Sequence, residues 1–271
     1  MTQQKPIMPV SAEAFASFEP LEFIMLVGYG DTGKSHAILQ LARAWLAMKP
    51  EGKIFCIDIE TGIMKTWKKS FPDISPARFL LWHGDVVDNI EKFLVVFNQV
   101  WPNTTPSDWL CIESDTRIWD TSQDLAWARI TGQHKDEYLS ARLAAGGKAP
   151  VTPQPDNLWQ VALDAYRRRF RDVMTNTVRL KTNVLITTGL SRPGARVSPA
   201  KRDAMNLLSI DVVPDGHSEN VRNPDTVVML TKDADGYFAE VLKDRAYGKP
   251  ATRIRFGVNN FWLDFLKNCR S

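Results

Sequence analysis

Residues 28–35 read Gly-Tyr-Gly-Asp-Thr-Gly-Lys-Ser, the spacing G-x-x-x-x-G-K-[ST]. Few stretches of eight residues restrict a fold as much. Gly28, Gly30 and Gly33 allow a tight backbone turn whose N–H groups face inward, which suits a triphosphate. Lys34 has the reach to meet β- and γ-phosphate oxygens, and the Ser35 hydroxyl suits Mg²⁺. The flanks agree with this phosphate-binding loop. Residues 22–28 are a short apolar run, as in a buried strand, and 36–48 carry apolar residues at helical spacing. A helix starting at this loop turns its positive end toward the phosphates. Gly28, Tyr29, Gly30, Asp31, Thr32, Gly33, Lys34, Ser35 and His36 are therefore the candidate nucleotide-binding residues.

A strand–loop–helix unit of this kind belongs in a layered α/β domain, and 271 residues suffice for one with a sizeable core. The formal net charge is only +3, so any nucleic-acid surface is a local patch. Cys56, Cys111 and Cys269 lack metal-ligand spacing, and the four histidines are scattered. No basic-then-apolar leader opens the sequence, and no apolar run approaches the ~20 residues of a membrane span. The expectation is a soluble, cytoplasmic protein of a reducing compartment with no membrane partner.

Along the chain, residues 1–20 read as a polar, proline-bearing arm and 21–271 as one core. Apolar strands are predicted at 53–59, 78–82, 109–112 and 183–188, with helices at 63–70, 89–100 and 158–181 between them. Residues 117–157 read as an insertion with one or two helical stretches, and 191–223 as a flexible loop rich in Arg, Ser, Pro and Gly. Two late strands, 225–231 and 237–242, flank Asp233-Ala-Asp-Gly236, a hairpin-turn signal. Alternation followed by a hairpin predicts a mainly parallel twisted sheet flanked by helices, with antiparallel strands at one edge. The phosphate loop, Glu60, Glu113 and Thr188 would then converge at the carboxyl ends of the strands, where such sheets bind ligands.

Two acids stand out beyond the loop. Trp109-Leu-Cys-Ile-Glu113 is an apolar strand ending in a carboxylate, the pattern that supports Mg²⁺, here through water; Asp115 is the runner-up. Glu60 follows Cys56-Ile-Asp-Ile59 and is placed to orient or deprotonate water, while Asp58 reads equally as a structural hydrogen-bonding residue.

In this order the motifs resemble the RecA superfamily of ATPases: a P-loop, a strand with Asp-x-Glu, hhhh-acid-Ser (Glu113-Ser114), a strand with a polar end, and a hairpin closing on Lys243-Asp-Arg245. The sequence is most similar to the core-only RecA-like ATP-binding proteins of bacteriophages, whose activities include single-strand annealing recombination. Ile112-Glu-Ser-Asp-Thr-Arg-Ile-Trp119 and Leu242-Lys-Asp-Arg-Ala-Tyr-Gly248 carry that likeness. The resemblance implies a RecA-like P-loop NTPase core that hydrolyses ATP with Mg²⁺. It makes Glu60 the water-activating residue and Glu113 the metal-supporting one. It assigns Lys243 and Arg245 to the γ-phosphate of a neighbouring subunit in a homo-oligomeric ring or filament. The fifth strand ends Thr187-Thr-Gly-Leu-Ser-Arg192 without the family's frequent Gln, leaving Thr188 as the substitute.

The implied partner is single-stranded DNA, in recombination or replication. Relatives grip DNA with loops after the fourth and fifth strands, here 117–157 and 191–223, and the second holds Arg192, Arg196, Lys201 and Arg202. Tyr166-Arg-Arg-Arg-Phe-Arg171 is the densest basic run; on a helix it spreads over more than one face, and ion pairing or a subunit contact explains it as well as DNA. Among nine tryptophans, Trp67 is the candidate for base stacking. Two other readings share the motif: a hexameric DnaB-like helicase motor, and a KaiC-like nucleotide-switched assembly protein that binds no DNA.

Overall fold

The structure is a computed structural model that describes residues 21–144, 160–191, 213–214, 223–245 and 253–256. Its centre is an eight-stranded sheet ordered β10-β9-β8-β1-β5-β4-β2-β3. The strands are β1 (Phe23–Val27), β2 (Ile54–Asp58), β3 (Phe79–His83), β4 (Trp109–Glu113), β5 (Asn183–Thr188), β8 (Thr226–Asp233), β9 (Gly236–Asp244) and β10 (Arg253–Phe256). The six from β8 to β3 in that order run parallel, while β9 and β10 pair antiparallel at one edge. A separate short ribbon joins β6 (Leu190–Ser191) to β7 (Val213–Pro214).

Unbroken apolar runs make the central strands because both faces of the sheet are covered. Successive side chains go to opposite faces. Phe23, Met25, Val27, Phe55 and Ile57 join one core cluster, and Ile24, Leu26, Ile54 and Cys56 join the other. Helices α1 (Lys34–Met48) and α2 (Gly62–Ser70) cover the second face with Ile38, Leu41 and Ile63. Helix α3 (Ile90–Val100), helix α4 (Asp115–Thr131) and the segment 160–176 cover the first, through Phe93, Phe97, Ile118, Tyr166 and Phe170. Asn89 caps α3 by accepting from the Glu91 and Lys92 N–H groups.

Several details depart from the sequence reading. The first part of the stretch read as an insertion is α4, a core helix that buries Ile118, Trp119 and Ala126; α5 (Lys135–Ala144) follows it. The long helix expected at 158–181 is interrupted by a π-helical turn, Asp164–Arg171, before α6 (Asp172–Asn176). The hairpin turn at 233–236 forms as expected, with Asp233 opposite Gly236. The arm at 1–20 lies outside the described residues, as do Arg192, Arg196, Lys201 and Arg202.

Candidate functional site

The carboxyl ends of the parallel strands define the site. Val27 is in register with Thr188, and Asp58 with Glu113. The phosphate loop leaves β1 at Gly28 and passes through left-handed Asp31 (φ 61°) and Gly33 (φ 91°) into α1. Gly28 is required for a different reason: a Cβ there would meet the Leu230 carbonyl at 2.9 Å and Thr32 Oγ1 at 2.4 Å. Thr32 is buried and closes the turn by donating to the Tyr29 carbonyl at 2.8 Å. Lys34 folds over the loop and donates from Nζ to the Gly28 and Tyr29 carbonyls, both at 2.8 Å. Phosphate oxygens are charged acceptors and stronger partners for the same ammonium.

β5 lies between β1 and β4, so β4 ends roughly 10 Å from the phosphate-loop strand. The first turn of α1 bridges that gap: Ser35 Oγ donates to Glu113 Oε1 at 2.6 Å. Glu60 joins from the end of β2, exposed to solvent and accepting a hydrogen bond from Ser114 Oγ. Ser114 also caps α4 through the Arg117 N–H. Asp58 does not enter the cleft. Buried, it accepts from the Glu60 and Ile63 N–H groups at 3.0 and 2.9 Å, which builds the turn presenting Glu60. Asp115, the alternative metal acid, points elsewhere: both its oxygens accept from Tyr166 Oη, at 2.8 and 2.9 Å, and Arg171 Nη1 lies 4.0 Å away.

The resulting cleft, about 480 Å³, is lined by Gly30, Asp31, Gly33, Lys34, Ser35, His36, Glu60, Thr66 and Glu113, with Lys232 and Tyr237 opposite. His36 also packs its ring edge-on to Phe71 at 4.7 Å. Lys232 and Tyr237 escaped the sequence reading. They flank the hairpin turn in register, with Lys232 Nζ 5.2 Å from the Tyr237 ring centre. The turn signal was visible in the sequence. Its approach to the phosphate loop depends on β8 pairing with β1, which was not.

Lys243 and Arg245 are absent from the cleft of their own chain. Lys243 pairs with Val227, near the start of β8, and its Nζ donates to the Pro224 carbonyl at 2.6 Å. Arg245 N–H donates to Asp225, whose own N–H reaches Phe23 at the start of β1. Both therefore sit at the opposite end of the sheet, roughly 15 Å along the strands from Gly28. Burial, helped by Arg245, lowers Lys243 to about 8. Trp67, the stacking candidate, is partly buried at the core edge: it packs against Phe79 at 4.7 Å and donates to the Ile74 carbonyl.

At the fifth strand, Thr188 is buried and linked. Its carbonyl accepts from the Gly28 N–H at 3.2 Å, and its hydroxyl meets Thr116 Oγ1 at 3.0 Å. Thr116 Oγ1 also accepts from the Gly189 N–H at 2.8 Å. The end of β5 is thereby tied to both the phosphate loop and the start of α4.

Burial dominates the electrostatics. Glu113 is pushed up to about 8, first by burial and then by Asp58 and Glu60, against the opposing pull of Ser35 and Lys34. Burial lowers Lys34 despite Glu60, Glu113 and Asp31. Ligand-free, the ammonium and the carboxylate are each driven toward neutrality, because desolvation outweighs their attraction. Glu113 Oε2 is buried without a hydrogen-bond partner. A hydrated divalent cation would answer both deficits, supplying charge to ionise the carboxyl and a water to donate to the orphaned oxygen. No cluster of three His, Cys, Asp or Glu able to hold a metal exists among the described residues. One hydroxyl and one carboxylate, Ser35 and Glu113, fit the way Mg²⁺ is held by few protein groups together with waters and ligand phosphates.

Fold and site together define an α/β protein with a mostly parallel eight-stranded sheet and a cleft at the strand ends lined by a glycine-rich loop. No protein-family model and no curated protein matches the chain. No helix among the described residues is long and apolar enough to cross a membrane.

Proposed function

We propose that the protein is a RecA-like P-loop ATPase that hydrolyses ATP with Mg²⁺ and acts on single-stranded DNA in phage-type recombination or replication. The observation that carries the reading is the hydrogen bond from Ser35 to Glu113, with Glu60 held beside it by Ser114. Three groups from three strand ends meet in one cleft, and each has a distinct part in phosphoryl transfer.

Lys34 holds the phosphates, leaving its loop carbonyls for charged oxygens. Ser35 and Glu113 hold Mg²⁺, which when bound neutralises charge developing on the phosphate oxygens. Glu60, exposed and oriented by Ser114, accepts a proton from the attacking water or aligns it. Tyr237 and Lys232 form the wall facing the loop and give the nucleoside an aromatic surface and a second cation. The Thr188–Thr116 link stands where relatives carry Gln, and it joins the end of β5 to α4. Lys243 and Arg245 lie at the far end of their own sheet, a position compatible with the γ-phosphate of a neighbouring subunit in a ring or filament.

The deciding measurement is the ATPase rate with and without single-stranded DNA, with assembly state followed in parallel. Stimulation by the strand is expected. ATPase activity unaffected by single strands would assign the protein to a nucleotide-switched assembly role, and strand unwinding would assign it to a helicase motor. No nucleotide binding at all would sink the site itself.

A further inference from the structure

A basic groove lies away from the nucleotide cleft. A groove of about 830 Å³ runs between α4 and the π-helical segment 164–171. Arg167, Arg168 and Arg169 line it from one side and Arg129 from the other, and Ile130 and Val161 help form its walls. All four arginines are exposed. An α-helix would rotate three successive residues by about 100° each and scatter them. The wider π turn advances each residue by a smaller angle, so the three stay together on the solvent side. Phe170 and Arg171, which follow, turn inward and are buried.

Two acids, Asp164 and Asp172, share the groove, so it keeps a net positive charge. Arg129 pairs with Glu91 at 2.9 Å and Arg168 with Asp164 at 3.2 Å, both between side chains that are at least half exposed. Exposed pairs of this kind exchange readily for a stronger anion. The π-helical segment also contacts the start of α4, beside the cleft. Tyr166 and Arg171, from the same segment, grip Asp115, the first residue of α4 and two positions after Glu113.

We propose that this groove is the track of a nucleic-acid single strand, held by its phosphodiester backbone, with the apolar walls meeting sugars and bases. A row of like charges matches a polymer with regularly repeated phosphates, and it reads no sequence. The inference rests on the single-strand part of the function proposed above. It locates the strand on the helical segment 164–171, in addition to any loop that contacts it.

The test is binding of a labelled oligothymidylate across a salt series, with nucleotide affinity and assembly mass measured on the same preparations. Relative to wild type, the triple variant R167A/R168A/R169A should lower the slope of log affinity against log salt by about 2, from three contacts at ~0.7 each. Wild type should therefore lose roughly 15-fold more affinity than the variant between 50 and 200 mM salt. The corresponding triple lysine variant should keep the wild-type slope, and both should bind nucleotide normally. An unchanged slope in the alanine variant overturns the groove and leaves the ATPase reading intact. Strand affinity lost together with assembly assigns the arginines to a subunit interface and overturns it equally. Wild-type protein that binds nucleotide but no strand removes the groove and the DNA reading together.

Discussion

Replacing Glu113 with Gln should stabilise the ligand-free protein while crippling its response to Mg²⁺ and nucleotide. Glu113 is raised from 4.5 to about 8 in the folded chain. Between those values the folded state binds the proton more tightly than the unfolded state, so stability falls as pH rises through the window. At pH 7 the penalty spans about 2.5 pH units, or ~3 kcal/mol at 1.36 kcal/mol per unit. Gln removes the titration and keeps an oxygen to accept from Ser35. Its amide hydrogens, placed where Oε2 now has no partner, cost ~1 kcal/mol. The net gain at pH 7 is about 2 kcal/mol, or roughly 5 °C for a chain of this size. Thermal unfolding from pH 5 to 9 measures it. The difference between variant and wild type should grow by ~1.4 kcal/mol per pH unit and level off above about pH 8. Adding Mg²⁺ and nucleotide should then reverse the ranking, since wild type gains ~2.7 kcal/mol at a hundredfold excess over Kd and the variant much less. A difference that stays flat across pH 5–8, or a variant less stable than wild type at pH 7 without ligand, would refute the argument that burial of an unpartnered carboxyl prepares the site for a cation.

Lys34→Ala should abolish nucleotide binding measured by calorimetry; normal affinity would move the phosphate site elsewhere. Glu60→Gln should bind ATP yet turn over at least ~100-fold more slowly, the low end for general-base catalysis; single-turnover rates equal to wild type would reassign the water-activating role. Tyr166→Phe should cost about 1–3 kcal/mol by leaving a buried carboxylate short of a donor, without altering nucleotide affinity; denaturant melts and calorimetry on the same variant separate those outcomes. Arg245→Ala should slow hydrolysis only where subunits assemble; an equal loss in dilute, monomeric protein would place Arg245 in its own chain's cleft.

Much of the fold was legible because its signals are local. Apolar runs bounded by turn residues placed β2, β4 and β5 within a residue or two, since a strand buried on both faces must be apolar throughout. Asp233-Ala-Asp-Gly236 announced the hairpin because such a turn needs residues that tolerate unusual backbone angles, and Gly236 does adopt φ 133°. The π turn at 164–171 was not legible. Its apolar spacing still resembles an α-helix, and only the folded backbone distinguishes the two.

The candidate site divides in the same way. Gly28 to Ser35 declared themselves by spacing alone, because a phosphate loop is built from consecutive residues whose backbone does the chemistry. Glu60 and Glu113 were visible as acids at strand ends, but what separates them from Asp58 and Asp115 is direction. Asp58 precedes Glu60 by two positions and Asp115 follows Glu113 by two, yet one is consumed by backbone N–H groups and the other by Tyr166 and Arg171. Lys232 and Tyr237 line the cleft for the same reason that Lys243 and Arg245 lie at the opposite end of the sheet. Pairing of β8 with β1 and of β9 with β8 sets which end of a hairpin lies beside the phosphate loop. Local chemistry written in adjacent residues is determined by sequence; the partners of a side chain distant in sequence are chosen by sheet order and register, and only the tertiary structure decides them.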